Sequence, residues 1–223
     1  MRQRRNEREV APPPGHRRLN GRKARMRAAE RRQHLIAAAL RLFATRGFSG
    51  TTTKVIARAA GISEAVIFRH FKGKEDLYAA ILREKASQEG YSQTMDELRR
   101  YAEHDDDEGF VFHLALRTLE SFDRDTNFHR LMLYARLEGH DLARASMRVL
   151  GLPFFEFLRG YVVRRQQAGK FRKGDSFLLA FAIVALPVHF ATASRLFGLK
   201  QLRGSNRSVA RAFTQTILHG LRA

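Results

Sequence analysis

Between Thr52 and Phe71 the sequence sets hydrogen-bonding side chains at helical spacing on either side of a tight turn. Ser63, Glu64 and Arg69 supply a hydroxyl, a carboxylate and a guanidinium, with the small apolar Ala65 and Val66 among them. Such a set on one exposed helix face suits the edges of base pairs. Arginine matches guanine, a carboxylate accepts from cytosine N4, and a small apolar side chain contacts a thymine methyl. Thr52 and Thr53 before one helix and Lys74 before another are candidate phosphate ligands, because helix N-termini favour anions. His70 is read as a phosphate contact in preference to a metal ligand, and Phe68 lies on the same free face.

Two helices must position these groups. Ala57 stands four residues before Gly61, the spacing of a helix-turn-helix. Ala57 is small enough for close approach, and Gly61 suits a turn that needs positive φ. Ile56, Ile62 and Ile67 then pack between the helices. Thr51, Thr52 and Thr53 offer hydroxyl caps for the first helix, and Ser63 offers one for the second. An ordinary helical hairpin shares this turn, so the turn alone leaves both readings open.

The rest of the chain predicts an all-α fold of about nine to ten helices, with no period-2 strand and no repeat. Leu35, Ala38, Ala39, Leu42 and Phe43 form a stripe at helical spacing that Gly47 ends. Later helices are expected over about 75–89, 91–102, 127–138, 141–150, 153–168, 175–197 and 207–221, with a further apolar helix after the acidic stretch 105–108. Gly151-Leu152-Pro153 predicts a break. The acidic stretch reads as a helix cap, since its spacing to His104 is not specific for a metal.

Composition narrows the function classes. The 223 residues carry 41 Lys or Arg against 22 Asp or Glu, a net charge of +19. Such a charge calls for an anionic partner. There is no cysteine, which excludes disulfides, thiolate metal sites and a cysteine nucleophile. No nucleophile–base motif, Gly-rich phosphate loop or metal-spaced histidine set is present, so neither an enzyme nor a cofactor is expected. Residues 1–27 read as a disordered basic tail, and the first 32 residues hold twelve Lys or Arg against three Glu. No export signal is apparent. The longest apolar run, Phe177 to Val188, is shorter than the roughly twenty residues of a membrane span. It reads as a buried helix of a cytoplasmic protein that does not enter membranes.

The stretch from Arg31 to Leu77 resembles the N-terminal DNA-binding domain of the TetR/AcrR family of bacterial transcriptional regulators. The matching residues are Ile36-Ala37-Ala38-Ala39, Leu42-Phe43, Gly47-Phe48, Thr51-Thr52, Ile56-Ala57, Ala60-Gly61-Ile62-Ser63, Ile67-Phe68-Arg69-His70-Phe71 and Lys74-Glu75-Asp76-Leu77. The sequence departs from the family pattern at Phe68, where tyrosine is common, at Ala65 for glycine, at Val66 for threonine and at Val55 for a polar residue. Glu64 is acidic where a basic residue would attract DNA.

The resemblance implies a three-helix DNA-binding head over 28–75 and a helical body over 76–223. The body would form a homodimer and hold a small hydrophobic ligand. The implied function is a ligand-responsive regulator, most simply a repressor, that binds double-stranded DNA at a pseudo-palindromic operator. The competing reading is a basic nucleic-acid binder of little specificity. Candidate dimer residues are Phe177, Ala180, Phe181 and Val184 in one helix and Val209, Phe213 and Ile217 in the last. Candidate ligand residues are Phe112, Phe128, Tyr134 and Phe155, with His113, His129 and His189 as polar handles.

Overall fold

Apolar residues recur at helical spacing along the chain, and the backbone follows them. The structure, a computed structural model, describes residues 14–86, 89–139 and 141–222. Among these the helices run α1 (Pro14–Arg46), α2 (Thr53–Ala59), α3 (Glu64–His70), α4 (Lys74–Ala86), α5 (Glu89–Glu103), α6 (Asp107–Arg124), α7 (Thr126–Leu137), α8 (Asp141–Ser146), α9 (Leu152–Gln167), α10 (Ser176–Ala191) and α11 (Asn206–Leu221). A single antiparallel bridge, Phe171 to Arg222, is the one β contact among the described residues.

Several helix starts carry the side-chain cap that the sequence offers. Thr52 accepts from Val55 N at 3.3 Å, Asp106 from Gly109 N at 2.8 Å and Asp175 from Phe177 N at 2.7 Å. Each cap satisfies an N–H that the helix itself leaves unpaired. Ser63 has the extended backbone of an N-cap, but its hydroxyl makes no capping bond.

Two features differ from the sequence reading. The expected tail is helical from Pro14 onward, and residues 1–13 lie outside the described residues. Proline suits a helix start, and the following Arg, Lys and Ala residues are good helix formers. Extending a helix already anchored at Leu35–Phe43 also costs less than nucleating one. The expected break at Gly151-Leu152-Pro153 is instead a π-helical turn, Met147–Gly151, that joins α8 to α9 with Gly151 still helical at φ −77 and ψ −54. Pro153 falls in the first turn of α9, where its missing N–H costs little.

Helix α10 continues through a second π turn, Thr192–Leu196, so the helical stretch follows the expected 175–197 to within a residue at each end. The combined helix Ser176–Leu196 is long and apolar enough by composition to cross a bilayer. One of its faces, including Leu179, Ala180, Ile183, Val184 and Ala191, is buried within the body.

The buried side chains form three clusters. The first joins α1 to α4 and includes Phe43, Ile56, Ile67, Leu77 and Tyr78, and it is completed by Leu131 and Ala135 from α7. The second lies among α5, α6, α9, α10 and α11 around Phe110, Leu158, Tyr161 and Ile183. The third links Leu119 and Phe122 of α6 to Ala191 and Ala210.

The acidic stretch does more than cap α6. Arg165 is only 4% exposed, and its Nε lies 2.8 Å from Asp107 Oδ1 while its Nη1 lies 2.9 Å from Asp105 Oδ1. Tyr161 also donates its hydroxyl to Asp107. Burial and this bond push the Tyr161 phenol above its ordinary range. His104 stays apart, with Nδ1 2.8 Å from the Arg100 carbonyl, and no group of metal-binding side chains occurs among the described residues.

Candidate nucleic-acid interface

The turn between α2 and α3 is closed by backbone bonds. Ile62 N donates to Ala57 O at 3.0 Å and Gly61 N to Arg58 O at 3.2 Å. Gly61 has φ +67, a conformation that disfavours side chains, and this permits the sharp reversal. Ile56 and Ile67 are fully buried beneath the turn and Ala57 is nearly so, with Ile62 packed alongside.

That packing leaves the opposite face of α3 to solvent. Ser63, Ala65, Phe68 and Arg69 are exposed, and Glu64, Val66 and His70 are half-buried. Phe68 is 54% exposed on this face. Thr52 is exposed and Thr53 half-buried at the start of α2.

Three of the expected contact residues, Thr53, Glu64 and Lys74, already have partners. Thr53 donates its hydroxyl to the Glu64 carboxylate, which links α2 to α3. Lys74 donates from Nζ to Phe48 O at 3.1 Å, and its ammonium sits 4.2 Å from the Phe48 ring centroid. A charged group held over an aromatic face in this way is partly removed from other anions.

The loop from Gly47 to Thr51 sets the entry into α2. Thr51 is fully buried and its hydroxyl donates to Gly47 O at 2.8 Å. Phe43, Phe48 and Tyr78 pack ring to ring at 5.5 to 5.7 Å between centroids. Glu138, just past α7, accepts from Phe48 N at 3.1 Å and from Ser49 N at 3.4 Å. Burial, and then the Glu138 charge, push the Tyr78 phenol well above its ordinary range. No local pattern marks Glu138 in the sequence, because its partners lie 90 and 89 positions away.

The candidate ligand residues do not converge. Phe128 packs against the first cluster, with Lys85 5.8 Å from its ring centroid. Tyr134 is 38% exposed near Gly47. Phe112 packs on the third cluster beneath Arg207. Phe155 stacks on Phe177 and Phe181, 6.1 and 6.2 Å between centroids. Their common aromatic character thus reflects separate packing sites in a core built of several helices.

The polar handles also differ in setting. His129 stacks on Phe122 at 3.6 Å, and burial lowers its pKa to about 4. His113 stacks on Tyr101 at 4.6 Å, in a network where Arg117 donates to Glu97 at 2.8 Å. His189 is exposed on α10.

The candidate dimer residues divide by helix phase. Ala180, Val184, Val209 and Ile217 are buried in the protein's own core, and the half-buried Phe213 packs against it. A helix turns about 100° per residue, so neighbours of a buried position point outward. Phe177 and Phe181 are 52% and 51% exposed, and Leu178 and Leu186 share the outward side. On α11 the outward residues include Ser208, Ala212, Thr216 and Gly220, all small.

A compact helix-turn-helix joined to a larger helical body defines the class of protein. Residues 35–81 match the family described as bacterial regulatory proteins, tetR family. The matched segment holds the whole helix-turn-helix, from the later half of α1 into α4. The chain is 47% identical over 60 residues to the transcriptional regulator AcrR of Shigella flexneri, an alignment covering 27% of this chain and 28% of AcrR. It is 39% identical over 74 residues to the transcriptional activator FasR of Mycolicibacterium smegmatis, covering 33% and 32% respectively. The matched segment therefore spans about a third or less of these relatives.

The fold likeness reaches further. The fatty acid degradation regulator FadR of Bacillus halodurans superposes with a TM-score of 0.62 at 22% identity, over 84% of this chain and 94% of FadR. FadR of Bacillus subtilis, in complex with stearoyl-CoA, superposes with a TM-score of 0.67 at 19% identity, over 84% and 98%.

Proposed function

We propose that the protein is a sequence-specific, DNA-binding transcriptional regulator that acts as a homodimer in the cytoplasm and answers to a small hydrophobic ligand. The observation that carries this reading is the free face of α3, where Ser63, Ala65, Val66, Phe68 and Arg69 stand together on a helix whose back is buried. In a helix-turn-helix the second helix enters the major groove. Arg69 is assigned to guanine or a phosphate, and Ala65 and Val66 to thymine methyls. Thr52, Thr53, His70 and Lys74 are assigned to the phosphate backbone, with Lys74 shared with Phe48. Glu64 serves α2–α3 docking through Thr53 as well as any contact with cytosine.

One recognition helix reads few base pairs, so specificity favours two heads on a two-fold axis. The exposed side of α10 at Phe177, Leu178, Phe181 and Leu186 supports a self-complementary surface, and the small residues of α11 allow close approach beside it. Repression fits a ligand that favours a body arrangement with the two heads out of register. The ligand is assigned to the body, with an apolar acyl chain as the simplest class. This assignment draws on the fold shared with FadR of Bacillus subtilis, which holds stearoyl-CoA.

The test is fluorescence anisotropy on the intergenic DNA beside the protein's own gene, with scrambled competitor, at two salt concentrations. A specific regulator prefers the native fragment by roughly a thousandfold. Arg69→Ala then reduces that preference. The second reading, a basic binder of little specificity, is favoured by the net charge of +19. It predicts equal affinity for scrambled DNA with a steep salt slope.

A further inference from the structure

The loop that leads into α2 is held from the body by one carboxylate. Glu138 takes both the Phe48 and Ser49 amides, at 3.1 and 3.4 Å. From α4, Lys74 holds the Phe48 carbonyl at 3.1 Å, so Phe48 is gripped on both polar groups of its backbone. Gly47 makes room for this grip in two ways. Its φ of +71 favours glycine, and a Cβ there would lie 2.2 Å from Glu138 Oε1. The carboxylate fills the space where a side chain would stand. Thr51 closes the loop by its bond to Gly47 O, and Thr52 follows at once as the cap of α2.

The other end of α7 is tied to α4. Asp125 caps α7 through Phe128 N at 3.0 Å and also pairs with Lys85. Between the two ends, Leu131 and Ala135 complete the cluster beneath the helix-turn-helix. The α7 helix is therefore tied to α4 at its start, and to the helix-turn-helix core and its entry loop at its middle and end. Of these contacts only the Glu138 bonds reach the loop directly ahead of α2.

We propose that Glu138 is a positioning residue for DNA recognition, which orients α2 and α3 on the body through the Phe48 and Ser49 amides. This rests on the DNA-binding reading above. Two ionic hydrogen bonds are short-ranged, so a shift of the α7 C-terminus by an ångström or two breaks them. The two heads then lose their fixed orientation while each keeps the packing of Ile56, Ala57 and Ile67 between α2 and α3. Movement in the body thus changes operator affinity without any contact between Glu138 and DNA.

The experiment compares the full chain with Glu138→Ala and Glu138→Gln. Amide hydrogen exchange at Phe48 and Ser49 is followed without DNA. Anisotropy is measured on a fragment that the wild-type protein selects from sheared genomic DNA, and on a scrambled copy of it. Thermal unfolding monitors the fold.

Exchange at both amides is expected to quicken in Glu138→Ala. It is intermediate in Glu138→Gln, whose amide keeps one acceptor oxygen. Affinity for the selected fragment falls roughly tenfold in Glu138→Ala, the scale of a typical coupling between sites. Affinity for the scrambled copy, set by cationic side chains on phosphates, stays unchanged.

A lowered melting temperature with an unchanged preference for the selected fragment makes Glu138 merely structural and overturns the proposal. Unchanged amide exchange overturns the clamp itself. A wild-type protein that selects no fragment ends the DNA-binding reading and the positioning role with it, while the amide exchange still reports whether the clamp exists. Should Glu138→Ala fail to fold, Glu138→Gln, of equal size, carries every arm.

Discussion

The Thr53 hydroxyl donates to the Glu64 carboxylate and so ties the first residue of α2 to the first residue of α3. The one acidic group on the proposed reading face is thereby engaged within the head. Glu64→Gln keeps the shape and removes the charge. Affinity for both selected and scrambled DNA is expected to rise about fivefold at low salt, the scale of one unit charge near another in water. Anisotropy decides this. A loss confined to the selected fragment would instead assign Glu64 to a base.

Arg165 depends on Asp107 to balance a charge that is almost wholly buried. Asp107→Ala leaves the guanidinium with the more exposed Asp105 as its remaining carboxylate partner. Stability is expected to fall by about 3 kcal/mol, as for other broken buried pairs. Urea unfolding measures it. Arg165→Met, which removes the charge and fills the space, should cost less.

His129 makes the fold sensitive to mild acid. Burial lowers its pKa to about 4, so the unfolded chain takes up a proton at a higher pH than the folded one. The stability this represents is present in full above the unfolded value and is lost as pH falls toward 4. Between pH 7 and pH 5 the loss is about 2 kcal/mol from this group. His129→Phe keeps an aromatic ring beside Phe122 and should flatten that part of the urea-derived stability profile. An unchanged profile would assign the loss to other groups.

The exposed side of α10 gives the proposed dimer its test. Phe181→Asp places a charge where the proposed partner surface is apolar. Sedimentation is expected to change from the mass of two chains to that of one, with little change in melting of the single chain. The buried Ala180→Asp should behave oppositely and unfold the body, because its site admits no water.

The helix-turn-helix was legible because its signals are local. Ala57, Gly61 and the three isoleucines lie within twelve consecutive residues, and Thr52 caps the helix it precedes. The two π turns were not legible, since Gly151 and Pro153 serve a break and a helix start equally well. Helix phase on α10 was missed for a different reason. Nearly every residue there is apolar, so no polar face marks which side meets solvent. The dispersal of Phe112, Phe128, Tyr134 and Phe155 reflects how α6, α7 and α9 pack, which residue type does not encode.

The cluster beneath α1 to α4 has a consequence for how such chains can be recombined. Because Leu131 and Ala135 belong to it, a fragment cut after α4 would leave Phe43, Ile67 and their neighbours open to water on one side. The DNA-reading part is therefore not a portable cassette. An engineered chimera that grafts it onto a foreign sensor must carry α7 along, or choose a host helix with matching residues at those two positions. The same seam constrains divergence, since substitutions elsewhere in the body must still spare the two residues that the helix-turn-helix borrows.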